Sequence, residues 1–177
     1  MNLNRPKTVL VLIVIFGWSF VKGIELLIRG SSTADRILYE GVGMGWLAVG
    51  LLTTIALLDL TALRYLIKPA PLGRLVCLTS IGLSAVQTSI GSVLARTHPD
   101  VARRAFVVSR ESRGLPVRPE AIDAAVDPMM SLLLLCGSLL VSGVLAWLVV
   151  RNKAYFVGST MPPNTPLQPT SGAASAG

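Results

Sequence analysis

Four residues have side chains that could perform chemistry within or beside a membrane: Lys22, Glu25, Asp59 and the single histidine, His98. Charged groups in apolar segments are costly to bury, and they often mark ion pathways or proton relays. Lys22 and Glu25, however, are three residues apart and share one face of a helix, where they can neutralise each other. The alternatives are a transport or catalytic site and an ion pair near the membrane surface, and we expect the ion pair.

The depths of the two acids argue against a shared site. Glu25 lies ~5 Å from the end of the first apolar segment, whereas Asp59 lies ~25 Å along the second, which runs in the opposite direction. The two acids are then expected near opposite membrane surfaces, where they cannot form a catalytic dyad or a common ion site. We expect Asp59 to meet Arg64, Arg74 or lipid headgroups.

The composition indicates which elements hold these residues. Of the 177 residues, 52% are hydrophobic and 14% are charged, whereas soluble domains carry about 25% charged residues. The apolar residues form four blocks that approach or exceed the ~18–20 residues needed to cross a bilayer as a helix. The sequence therefore predicts an all-α polytopic membrane protein, a bundle of four transmembrane helices at about 8–28, 41–67, 74–95 and 129–150.

The connection between the third and fourth spans, residues 96–128, is long and densely charged. Pro99 is typical of a helix start, Gly114 of a helix end, and Pro119 of a second start. The pattern predicts an amphipathic helical loop in two pieces. Spans and loop make one domain, residues 1–156.

The last residues, 157–177, are rich in Pro, Ser, Thr, Gly and Ala. Such a composition cannot bury a core, so we expect a disordered tail.

The net charge of +7 suggests a partner for the basic residues. Lys and Arg beside apolar spans set topology and contact anionic lipid, and no nucleic-acid-binding motif accompanies them. We expect the lipid bilayer as partner, with anionic lipid, a second copy or another membrane protein as candidates, and no nucleic acid. The loop either binds such a partner or is a solvated connector over the bundle mouth; its candidate contact residues are Arg103, Arg104 and Arg110.

Small and polar residues within the spans predict where helices approach each other, because lipid provides no hydrophobic drive for their association. Gly41 and Gly45 form a GxxxG in the second span, and Ser138 and Ser142 are four apart in the fourth. The third span carries a polar row that indicates a packing face, an oligomer interface or, alternatively, a polar permeation path. The row consists of Ser80, Ser84, Gln87 and Gly91.

Enzymatic function is not expected. The sequence contains no nucleophile elbow, zinc-protease helix, phosphate-binding loop or CxxC motif. It predicts no catalytic residue, no metal site and no cofactor. Cys77 and Cys136 differ in depth by ~15 Å, too far for a disulfide, so two free, buried thiols are expected.

Orientation follows from the basic residues. The numbers of Lys and Arg on the two sides of the membrane do not decide the orientation. Both termini and the second loop, however, concentrate their positive charges next to the spans, which favours cytoplasmic N- and C-termini. The stretches "LRYLIKPAPLGRL" and "WLVVRNKAYF" resemble those of small four-helix bacterial inner-membrane proteins of unknown function. The resemblance implies the same membrane and orientation, and it supplies no functional residues.

Two hypotheses for the function remain. The first is a non-enzymatic integral membrane protein that acts through helix or loop contacts. The second is a small oligomeric transporter or channel with Lys22, Glu25 and Gln87 near its route. Small multidrug exporters also have four spans and an acid in the first span. This chain departs from them, because Glu25 lies near the end of its span and a long loop precedes the last span.

Overall fold

The computed structural model describes residues 6–30 and 33–157, without the side chain of residue 125. The predicted tail lies almost entirely outside these residues. Eight helices are present in the described ranges: α1 (Lys7–Arg29), α2 (Ala34–Gly41), α3 (Gly45–Ile67), α4 (Pro71–Thr97), α5 (Pro99–Glu111), α6 (Pro119–Val126), α7 (Pro128–Arg151) and α8 (Lys153–Val157).

Four of these helices, α1, α3, α4 and α7, are long and apolar enough to cross a membrane. They pack in the order α1, α3, α4, α7, and the packing of α1 against α7 is slight. Most of their outward surface is exposed and apolar, as contact with lipid requires. The predicted fold class, four packed spans with helices in the loop before the last, is confirmed.

The apolar core lies at one end of the bundle, which we call the closed end. Here the start of α1 and the end of α3 meet the start of α4 and the end of α7. Thr8 Oγ1 donates a hydrogen bond to Asn152 Oδ1 (2.9 Å), and the Tyr155 hydroxyl donates to the Leu66 carbonyl (2.7 Å). The buried side chains of this core are Val9, Leu12, Phe16, Ala62, Leu66, Cys77, Ile81, Val149 and Phe156.

The opposite end, which we call the lid end, is covered by α2 and α5, which pack against each other. Gly41 at the end of α2 lies so close to Val101 of α5 that a Cβ atom would collide with it. Helix α2 was not expected. The interpretation of Gly41 and Gly45 as one GxxxG face was wrong, because a turn at Gly43, with φ of 77°, places them on different helices.

Prolines define the helices of the long loop. Pro99, Pro119 and Pro128 each occupy the first position of a helix, where the missing N–H is not needed. Gly114, with φ of 67°, lies in the turn after α5. The two helical pieces expected in this loop are therefore present as α5 and α6.

Candidate functional site

The helices separate towards the lid end and enclose a partly open cavity of about 620 Å³. Small residues leave space on the cavity wall: Gly23 faces the cavity from α1, and Ser84 and Gly91 face it from α4. Helices α2 and α5 roof the space. Its apolar wall includes Leu26, Leu38, Leu52, Ile55, Phe106 and Leu134.

The polar row of α4 is turned towards the bundle interior. Ser80 is buried, and Ser84, Gln87 and Gly91 line the cavity. The backbone carbonyl of Gln87 accepts a hydrogen bond from the buried Tyr39 hydroxyl of α2 (3.4 Å). Within the described part of the chain, the side chains of Ser84 and Gln87 have no hydrogen-bond partner, so they are available to water or a ligand.

Asp59 is buried among α1, α3 and α4, with 2% of its surface exposed. Ser19 Oγ donates a hydrogen bond to one carboxylate oxygen (2.5 Å), and Ser80 Oγ donates to the other. No basic side chain in the described ranges forms an ion pair with this acid. Because Ser19 also lines the cavity, Asp59 lies directly behind the cavity floor.

The expectation that Asp59 meets Arg64, Arg74 or lipid headgroups was wrong. Helix α3 ends at Ile67, as predicted, but it begins at Gly45 instead of residue 41. Asp59 is therefore ~21 Å from the start of α3 and ~12 Å from its end at the usual helical rise. It faces the neighbouring helices instead of the membrane surface.

Lys22 and Glu25 form the expected ion pair, with Lys22 Nζ 2.6 Å from Glu25 Oε2. Arg29 extends the pair, since its Nη2 lies 3.0 Å from Glu25 Oε1. The ammonium of Lys22 also lies 5.3 Å from the ring centre of Trp18. Lys22 borders the cavity, and its charge is already engaged by Glu25.

Asp35, in the first turn of α2, is a cavity residue that sequence reasoning missed. Its side chain is exposed at the mouth of the cavity, and crowding by the cavity wall raises the pKa of its carboxyl group above the ordinary value. Burial raises the pKa of Tyr39, and the charge of Asp35 adds to that effect. Asp35 makes no ion pair or hydrogen bond with the described residues. Its role could have been anticipated only if α2 had been recognised.

The loop arginines make several contacts within the lid end. Arg103 Nη2 lies 3.1 Å from Asp123 Oδ1 of α6. Arg110 Nε donates to the Pro116 carbonyl (3.1 Å), and its guanidinium lies over the ring of Phe106. Arg104 is exposed beside a groove that Glu40 also lines. Their role as a contact surface stays a prediction.

The remaining candidate residues lie outside the cavity. Both cysteines are free, but only Cys77 is buried; the expectation for Cys136 was wrong, because it lies on an exposed face of α7. Ser138 and Ser142 are half-buried on α7. Within the described residues, no group of three or more His, Cys, Asp or Glu side chains is placed to hold a metal ion.

The four packed candidate spans define a multi-pass integral membrane protein that contacts the lipid bilayer. Comparison with protein-family models, curated proteins and solved structures found no match. The function is therefore inferred from the geometry of the chain itself.

Proposed function

We propose that this chain is a non-enzymatic integral membrane protein that binds a small amphiphilic molecule in the cavity at its lid end. The observation that carries the proposal is the cavity itself. Its volume of about 620 Å³ falls within the ~300–1,000 Å³ typical of small-molecule sites. Its lining combines apolar walls with a few polar groups, as such sites do.

The unpartnered side chains of Ser84 and Gln87 support this proposal. In an apolar environment, a polar group without a hydrogen bond is costly, so a ligand with a hydroxyl, amine or carbonyl group would gain by meeting them. The apolar wall from α1, α3 and α7 would accept the rest of the molecule.

A route for the ligand is available between α1 and α7. Both helices border the cavity, through Lys22 and Gly23 on α1 and Ser131 and Leu134 on α7. Their mutual packing is slight, in contrast to that of the other neighbouring spans. An amphiphile dissolved in the bilayer could therefore pass between them without unfolding the core at the closed end.

Action through loop contacts, the first hypothesis from the sequence, has less support than the cavity. Arg103 and Arg110 already have partners within the lid end. Of the three candidate arginines, Arg104 is exposed and is the one for which no contact indicates a role within the lid end.

Transport by a small oligomer is a second candidate, favoured by the asymmetry of the bundle. The cavity occupies the lid end, and the apolar core blocks the closed end. Such an arrangement is what one state of a carrier would present. Replacing Gln87 by Leu tests it, because a route residue would lose flux in intact cells while the protein still inserts.

The proposed location is the bacterial inner membrane, with both termini in the cytoplasm. The basic residues near the closed end and the resemblance to small four-helix inner-membrane proteins support this choice. In that orientation the cavity and its lid lie on the outer side of the membrane.

A cavity-filling variant tests ligand binding. Gly91 lines the cavity and has open space beside it, so Gly91→Leu fills the site. Gly82 lies on the same helix, is exposed and also has open space beside it, so Gly82→Leu is the matched control. The full chain in lipid nanodiscs is photolabelled with a diazirine analogue of hexadecanol, and the labelled peptides are identified by mass spectrometry.

We expect labelling of the cavity residues of α4 in the unmodified protein and in Gly82→Leu, and loss of that labelling in Gly91→Leu. Labelling of lipid-facing residues on α7 provides the internal reference. Equal labelling of the cavity residues in all three proteins would contradict the proposal.

A further inference from the structure

The charges around the cavity are unevenly compensated. Asp35 on the lid and Asp59 behind the floor are both acids with no cationic partner among the described residues. The basic residue on the cavity wall, Lys22, is held 2.6 Å from Glu25. The cavity therefore has two acids that lack a counter-charge and one base that already has its own.

Asp59 influences the cavity through Ser19. Because the Ser19 hydroxyl uses its proton to bond Asp59, its oxygen lone pairs are left to accept a hydrogen bond from elsewhere. Ser19 lines the cavity floor, so this accepting oxygen and the carboxylate behind it favour a donor or a positive charge. Ser80 bonds the opposite oxygen of the same carboxylate and belongs to the core side.

Asp35 is placed at the other end of the space. The rest of the cavity wall is mostly apolar, and it includes Leu38 of the same helix and Phe106 of α5. Asp35 is exposed at the cavity mouth and has no ion-pair partner among the described residues, so its carboxylate attracts a cation that enters beside it. The apolar walls between the two acids restrict this to a cation with an apolar body.

We propose that the cavity selects a hydrophobic organic cation, with Asp35 and Asp59 as its counter-charges. This inference rests on the proposed function and specifies its ligand class. The trio Lys22, Glu25 and Arg29 carries one excess positive charge, but Arg29 lies along an adjacent cleft outside the cavity.

Two ions of the same shape and opposite charge test the proposal: tetraphenylphosphonium and tetraphenylborate. Binding of each is measured by equilibrium dialysis to the full chain in micelles of a neutral detergent, with protein-free micelles subtracted. We expect the cation to bind at least about tenfold more tightly than the anion, the effect of one unit charge at ~12 Å in an effective dielectric of ~20.

Three variants determine which charges matter. Asp35→Asn should weaken binding of the cation about tenfold, and Lys22→Gln should strengthen it, a change that a folding defect would not produce. Glu40→Gln removes the same charge from the same helix, at an exposed position paired with Arg36, and should leave the affinity unchanged.

Preference for the borate, or an Asp35→Asn variant that binds the cation as well as the unmodified protein does, would overturn the inference. If neither ion binds while the hexadecanol analogue labels the cavity, the ligand class is wrong and the proposed function stands. If neither ion binds and cavity labelling is also absent, both proposals fail.

Discussion

The hydroxyl of Ser19 on α1 donates a hydrogen bond to the carboxylate of Asp59 on α3, with 2.5 Å between the oxygen atoms. This contact joins the floor of the cavity to an acid that is otherwise sealed within the bundle. Together with Ser80 it links three spans through one carboxylate. The buried carboxylate depends on these two serine hydroxyls for its hydrogen bonds. Both hydroxyls are therefore important for the stability of the bundle.

Ser80→Ala should therefore destabilise the bundle. It leaves one oxygen of the buried Asp59 carboxylate without its donor, at a cost of about 1–3 kcal/mol. Thermal unfolding of the purified protein in detergent should show a lower midpoint. Ser89→Ala is the control, because the Ser89 hydroxyl bonds the carbonyl of Ala85 in its own helix; an equal loss in both variants would contradict the role assigned to Ser80.

The pKa of Asp35 predicts how stability depends on pH. The side chain is partly exposed, but crowding by the cavity wall still raises this pKa in the folded protein, so the folded state binds the proton more tightly than the unfolded chain does. Ionisation of Asp35 therefore lowers the free energy of unfolding. This penalty is absent below the unfolded pKa of about 4, grows as the pH rises through the folded pKa, and is complete above it. Ionisable groups that border the same cavity are Lys22 and Tyr39, and Lys22 is paired with Glu25.

Asp35→Asn removes this penalty. Its unfolding temperature should exceed that of the unmodified protein at neutral pH, and the difference should disappear at pH 4 and below. A pH series of thermal unfolding measurements checks this sign. A variant that is less stable at neutral pH would show that an interaction of the ionised carboxylate outweighs the crowding by the cavity wall.

The contact between Gly41 and Val101 predicts how firmly the lid is held. A Cβ atom at Gly41 would collide with Val101, and forcing extra atoms into a packed contact costs about 1–3 kcal/mol. Gly41→Ala should therefore increase hydrogen exchange in α2 and α5 and leave the closed end unchanged. Gly50→Ala, with open space beside the glycine on α3, should have no such effect; unchanged exchange in Gly41→Ala would mean that the lid does not depend on this contact.

The spans could be predicted because apolar length and proline position are local properties of the sequence. The same local rules identified the starts of α5 and α6 at Pro99 and Pro119. The short helix α2 was missed because the Gly-rich stretch after it was assigned to the following span. Without α2, Asp35 had no place in the site.

The environment of Asp59 could not be predicted from local sequence. Its side chain faces the neighbouring helices, and its partners, Ser19 and Ser80, belong to other helices. Lys22 and Glu25 are separated by three residues, and for that reason their pairing was predictable. The cavity depends on how four helices separate at one end, a property of packing that residue types alone do not determine.

The orientation of the lid can be tested by labelling with a membrane-impermeant thiol reagent in intact cells. The reporter is Leu115→Cys, in the exposed turn after α5; Gly114 is unsuitable because its φ of 67° would strain a cysteine. The background is Cys136→Ser, which removes the exposed thiol, and Cys77 is kept because it is fully buried in the core. Lys153→Cys, exposed on α8, is the matched reporter for the closed end.

With cytoplasmic termini, Leu115→Cys should be labelled in intact cells and Lys153→Cys only after lysis. The cavity would then lie on the outer side, where Asp35 meets external ligands. The reverse pattern would place the cavity and the loop arginines towards the cytoplasm, where anionic lipid is concentrated. Half-labelling of both reporters would indicate a population inserted in both directions and would support the oligomeric transporter.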